Sequence, residues 1–219
     1  MNRLQLEHII RAAGAIANDK EIIVIGSQSI LGQLPNAKPD LLTSQEADVY
    51  PKNRPELADL IDGSIGEASF FDDTFGYYAH GVGKETAILP LGWESRLVPV
   101  ENENMEGIKG LCIDVHDLVL SKYAAGREKD IEFAKLCIEY GYVDKEKLLE
   151  LSKLLPIDEI KKNKISDAII YGFSGNKKTI QEEIENLKEK ESEQTFNITS
   201  VKPDTLNQEK NNPDLDIDF

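Results

Sequence analysis

Leu6, Ile9, Ile10, Ala13, Ile16 and Ala17 recur at three- and four-residue intervals, so the chain opens with a helix that buries one face and ends at Asn18-Asp19. The pattern then changes. Residues 22–25, IIVI, form a continuous apolar run, as expected of a strand covered on both faces. Gly26 permits a tight exit, and Ser27 is placed to cap a helix whose first apolar positions are Ile30 and Leu31. In LLTSQEADVYP, residues 41–51, Val49 and Tyr50 favour a second strand and Pro51 stops it. The two-residue strand period puts Glu46 and Asp48 on one face. KGLCIDVHDL, residues 109–118, predicts another strand and then a helix capped by Asp114, with Asp117 three residues on giving a box-like start. Leu118, Val119, Lys122 and Tyr123 lie on that helix, Gly126 ends it, and a helix starting near Arg127 carries Ile131, Ala134, Cys137 and Ile138 inward. After Asp144, Leu148, Leu151, Leu154 and Leu155 make an apolar stripe at helical spacing, and Pro156 separates two helices.

From about Gln181 the chain alternates acids, Lys, Asn and Ser with few large apolar residues, and disorder is expected from Glu191. The expected organisation is an α/β domain over residues 1–143, a helical extension over 144–190 and a disordered acidic tail over 191–219. That tail is either a solubilising segment or a docking motif. Leu215, Ile217 and Phe219, alternating with acids, suit a partner protein with a basic, apolar groove.

Composition narrows the function classes. The 219 residues are 40% hydrophobic, enough for the core of one sizeable domain. No apolar run approaches the roughly 18 residues of a membrane span and no secretory leader is apparent, so a cytoplasmic protein without a membrane partner is expected. A net charge of −15 argues against extended binding to a DNA or RNA backbone, while small anions remain accessible to local cations or a metal. Cys112 and Cys137 sit in apolar segments without zinc-ligand neighbours and read as buried, inert thiols.

Three features carry candidate chemistry. A strand, Gly26-Ser27 and a helix start aim backbone N–H groups and a hydroxyl at one spot, which suits a phosphate or is a plain turn. Glu46 and Asp48, two residues apart on one strand face, repel unless a cation lies between them or one is protonated, so they are a magnesium-site candidate or a polar strand edge. Lys122, Arg127 and Lys129 gather near a helix junction, either to clamp a triphosphate or to pair with Glu128, Asp130 and Glu132 on a helix surface. His8, His80 beside Gly81 in a turn, and His116 have no partner at ligand spacing and read as surface or satisfied histidines. Tyr77, Tyr78 and Trp93 read as packing aromatics.

Gly26-Ser27 after a strand, followed by Ser44-x-Glu46-x-Asp48, resembles the signature of the polymerase-β-like nucleotidyltransferase superfamily. HDLVLSKYAAGREKDIEFAKL, residues 116–136, resembles a segment of the nucleotidyltransferases of bacterial abortive-infection toxin–antitoxin systems. GEASFFDDTFGYYAHGV, residues 66–82, and LPLGWESRLVPV, residues 89–100, are similar to a functionally unassigned bacterial branch of that group. The likeness runs roughly from Ile22 to Tyr140. It implies a minimal mixed sheet flanked by helices, and magnesium-dependent transfer of an NMP from an NTP to tRNA or a protein, in a toxin–antitoxin or phage-defence setting. It further implies Glu46 and Asp48 as metal ligands and Gly26, Ser27, Lys122, Arg127 and Lys129 around the nucleotide. Lys122 would bind phosphate and Asp130 would support the catalytic site. The superfamily often adds a third carboxylate from a later strand, and of Asp59, Asp62, Glu67, Asp72 and Asp73 the choice is Glu67, in a glycine-flanked turn. Two departures stand out: GQLPNAKPD, residues 32–40, lengthens the gap before the acids, and the first acid is Glu where the superfamily has Asp. They open a second class of function, a catalytically weak protein of nucleotidyltransferase fold that engages a partner through its acidic tail.

Overall fold

The computed structural model describes residues 1–175, so the tail expected over 191–219 lies outside the described residues. Five strands form one sheet: β1 (Glu21–Ile25), β2 (Glu46–Pro51), β3 (Tyr78–Gly81), β4 (Val98–Val100) and β5 (Lys109–Cys112), in the order β3-β2-β1-β5-β4. The sheet is mixed, as expected. β1 runs antiparallel to β2 and parallel to β5, β2 and β3 are parallel, and β4 and β5 are antiparallel. Its central strand is the apolar run: Ile22, Ile23, Val24 and Ile25 are all buried, which is why that stretch carries no alternation.

Helix α1 (Arg3–Ala17) lays Leu6, Ile9, Ile10, Ala13 and Ala17 into the core; Ile16 is half-buried at the edge of that face. Asn2 and Gln5 form a reciprocal capping box at its start, and Asn18 ends it in the left-handed conformation at φ 49°. The corner after β1 differs from expectation. A single 3-10 turn, Ser27–Ser29, precedes the four-residue α2 (Ile30–Gln33), and neither has a side-chain cap. Ser29, not Ser27, closes the turn by donating its hydroxyl to Gly26 O at 2.8 Å. Ser27 therefore does not serve as a cap.

Between β2 and β3 lie the short helices α3 (Ala58–Ile65) and α4 (Phe70–Phe75). After β5 come α5 (Val115–Ala125), α6 (Glu128–Glu139), α7 (Lys145–Ser152) and a last helix, α8, over residues 159–175. Leu148, Leu151 and Leu155 are buried, but Leu154 is 40% exposed because α7 ends at Ser152 and the chain turns before it. Burial pushes the thiols of Cys112 and Cys137 up to about 12, in keeping with inert cysteines. No helix among the described residues is long and apolar enough to cross a membrane.

The start of α5 is pinned by polar groups rather than by the expected box. Asp114 accepts from His116 N at 2.9 Å, but the fully buried Asp117 turns away to accept from Arg96 Nε and one of its Nη atoms, both at 2.8 Å. His116 is satisfied on both ring nitrogens. Nε2 accepts from Asp144 N at 3.0 Å, so Nδ1 carries the hydrogen and donates to Asp114 Oδ1 at 2.9 Å, tying the start of α7 to the start of α5. Burial opposes ionisation of Asp114, yet the His116 ring, its backbone N–H and the Lys147 charge hold the carboxyl down at about 2. A depressed carboxyl contributes stability that is full above its unfolded value near 4 and lost as pH falls towards 2. Asp114→Asn is expected to cost about 2 kcal/mol at neutral pH and almost nothing near pH 2, read from urea denaturation at both.

Candidate active site

The sheet register assembles the acidic end of the site. Asp48 lies opposite Ile25 of β1 on one side and opposite His80 of β3 on the other; Glu46 lies opposite Tyr78. Because all three strands share the two-residue period, the side chains of Glu46, Asp48, Tyr78 and His80 emerge on one face while Ala47 and Val49 go to the core. Ser44 fixes the entry to β2, its hydroxyl accepting from Glu46 N at 3.0 Å.

His80 thus sits on a strand and not in a turn, and it is at ligand spacing after all. Its Nδ1 is 3.0 Å from Asp48 Oδ1 and 3.5 Å from Glu46 Oε1. Tyr78, expected only to pack, donates its hydroxyl to Glu46 Oε2 at 3.2 Å. Glu67 is exposed in the turn between α3 and α4 and is not in this group, whose third member is the imidazole of His80. The donor atoms of Glu46, Asp48 and His80 all lie within 4.8 Å of one another. Neighbouring donors on one octahedral dication with bonds near 2.1 Å are about 3 Å apart, so these residues fit such an ion.

Electrostatics agree with crowding. Burial, and then the Glu46 charge, push the Asp48 carboxyl up to about 6, with the His80 bond pulling the other way. Burial lowers His80, but its bond to Asp48 and the carboxylate charges outweigh it and leave the imidazole raised.

Gly26 is dictated by the same carboxylate. Its φ is +71°, and a β-carbon there would stand 1.9 Å from Asp48 Oδ2. Only glycine allows both the backbone angle and the approach.

The cations come from the α5–α6 junction. Gly126 ends α5 at φ 70°, and Asp130, in the first turn of α6, is 1% exposed. Asp130 accepts from Lys122 Nζ at 3.0 Å and from Arg127 Nε at 2.5 Å. Burial opposes the charge on Asp130, but these two bonds prevail and hold its carboxyl below the usual range. Lys122 Nζ also lies 5.5 Å from the centroid of the Phe133 ring.

These pieces meet. A cavity of about 500 Å³ is lined by Ser27, Glu46, Asp48, His80, Lys122, Arg127, Lys129 and Asp130, within the range of small-molecule sites. A pocket of about 150 Å³ holds Gly26 and shares Asp48, Lys122, Arg127 and Asp130 with the larger one. Every residue nominated for metal, phosphate or catalysis lines one or the other, Glu67 excepted. Thr86, in the loop after β3, lines both and was not among the nominated residues; nothing local to its GKETA context distinguishes it.

A protein-family model described as a nucleotidyltransferase of unknown function (DUF6036) matches residues 4–181. No curated protein and no solved structure matches the chain.

Proposed function

The chain belongs to this nucleotidyltransferase family, and from that premise we propose that it moves a nucleoside monophosphate from a nucleoside triphosphate to an acceptor hydroxyl, using a divalent cation. The observation that carries the reading is convergence: Ser27, the two acids of β2 and the cations of the α5–α6 junction line one cavity. Glu46 and Asp48 hold the cation, which when bound neutralises phosphate charge and aligns the α-phosphorus. The backbone at Gly26 and the hydroxyl of Ser27 contact the β- and γ-phosphates. Lys122, Arg127 and Lys129 stabilise pyrophosphate as it leaves: the acceptor hydroxyl gives its proton to solvent and its oxygen bonds to the α-phosphorus while the bond from that phosphorus to the α–β bridging oxygen breaks. Asp130 positions the first two of these cations.

The acceptor in this reading is a tRNA or a protein hydroxyl. A net charge of −15 disfavours long contacts with RNA and leaves a short RNA end or a side chain. The likeness of residues 116–136 to abortive-infection enzymes supports a toxin–antitoxin or phage-defence setting. The test is transfer of label from each of four α-labelled NTPs, with Mg²⁺ or Mn²⁺, to bacterial tRNA and to protein, the chain itself included. A labelled product that chelation abolishes is expected.

One observation favours a second reading. Asp130 already engages both Lys122 and Arg127, and Glu46 replaces the usual Asp, as in a nucleotide-binding partner protein with little chemistry. Nucleotide binding without labelled product, together with loss of a partner on deleting residues 191–219, would decide for it.

A further inference from the structure

We infer that His80 is a third metal ligand, making a site of two carboxylates and one imidazole that takes a transition-metal dication such as Mn²⁺ in preference to Mg²⁺. The inference rests on the nucleotidyltransferase reading for the presence of a cation and goes beyond it in the ligand set and the metal.

Three arguments support it. The first is placement. His80 Nδ1 lies 3.0 Å from Asp48 Oδ1 and 3.5 Å from Glu46 Oε1, so the nitrogen and one oxygen of each acid converge, and a cation bound there displaces the hydrogen that Nδ1 donates to Asp48 in the metal-free protein. Tyr78 holds the other oxygen of Glu46, Oε2, at 3.2 Å, which leaves Oε1 turned to the shared point.

The second is rigidity. β3 is clamped at His80's neighbour: Gly81 N donates to Asp62 Oδ1 at 3.1 Å, and a β-carbon on Gly81 would stand 2.0 Å from Ala58 O of α3. Val82 N adds a 3.0 Å bond to Val49 O of β2. The imidazole is therefore carried on an element fixed against both the sheet and a helix, as a preorganised ligand requires.

The third is chemical. Asp48 and Glu46 already repel, and a third carboxylate would add to that repulsion, whereas an imidazole supplies a donor without negative charge. Mg²⁺ favours carboxylate and water oxygens; an imidazole nitrogen in the donor set favours first-row transition-metal dications over it, and Mn²⁺, which also accepts carboxylate oxygens, suits the mixed set. His80 is half exposed and lines the large cavity with Lys122 and Lys129, so further positions on the ion are open to phosphate oxygens.

The test is Mn²⁺ binding to the full chain, alone and with a non-hydrolysable nucleoside triphosphate. It is read by pulsed electron paramagnetic resonance for coupling to ¹⁴N and by competition with Mg²⁺. Wild type is expected to show the nitrogen coupling. His80→Asp should lose it and reduce the preference for Mn²⁺ over Mg²⁺ roughly tenfold; circular dichroism on the variant confirms its fold. Mn²⁺ bound without nitrogen coupling, but lost in Asp48→Asn, overturns the role of His80 and leaves the carboxylate site standing. No Mn²⁺ bound under either condition overturns both readings.

Discussion

Asp48→Asn is expected to reduce nucleotidyl transfer to background and, at the same time, to make the metal-free protein more stable. The two effects have one cause. Burial and the neighbouring Glu46 raise the Asp48 carboxyl to about 6, against roughly 4 in an unfolded chain. Between those values the folded state binds more protons than the unfolded state, so stability falls as pH rises through the window. Above about pH 6 the ionised side chain costs up to about 3 kcal/mol, and below about pH 4 it costs nothing. Asparagine keeps the shape and removes the charge. In the presence of chelator, the variant should therefore melt above wild type at about pH 8 and together with it at about pH 4. A divalent cation relieves the same repulsion, so it should raise the melting temperature of wild type and leave the variant unmoved. A variant that melts lower than wild type at about pH 8 would mean the two acids are not held in conflict, and the case for a cation between them would go with it.

What could be read from the chain, and what could not, divides by distance along it. Glu46 and Asp48 were legible because strand alternation alone puts them on one face. Gly26 was legible as a tight exit from an apolar strand, but a plain turn reads the same way, and only the resemblance pointed to a phosphate there. The cation cluster followed from helical spacing on either side of Gly126. His80 and Tyr78 were not legible. Their approach to Asp48 and Glu46 needs the parallel pairing of β2 with β3, which spans 32 residues and two intervening helices. The same holds for Asp117, whose spacing suited a local box but whose partner, Arg96, arrives from the loop before β4. Ser27 failed as a cap for a smaller reason: the turn tightened to 3-10 geometry and Ser29 closed it. Local pattern thus placed these residues on their strands and helices, the resemblance chose them over a plain turn, a polar strand edge and helix-surface pairs, and the sheet order supplied the side chains that hold them.

Asp130 sets the second large expectation, because it is the only carboxylate shown accepting from Lys122 among the described residues. Its side chain is 1% exposed and Lys122's is 15% exposed, whereas Arg127 is 64% exposed and can be solvated without help. Asp130→Ala is therefore expected to destabilise the free protein by about 3 kcal/mol, almost all of it from leaving the Lys122 ammonium uncompensated beside Phe133. Asp130→Asn, which keeps an acceptor oxygen, should cost less and provides a folded control if alanine is too damaging. A phosphate chain in the cavity replaces the lost charge. Millimolar pyrophosphate should then raise the melting temperature of either Asp130 variant more than that of wild type, where Asp130 competes for the same ammonium, and should do least for Lys122→Ala. Label transfer should fall in both Asp130 variants, since an unanchored Lys122 no longer meets the leaving pyrophosphate in a fixed position. Equal pyrophosphate shifts in wild type, Asp130→Asn and Lys122→Ala would show that the anion does not bind at the α5–α6 junction. The phosphate end of the site would then have to be sought at the Gly26-Ser27 corner alone.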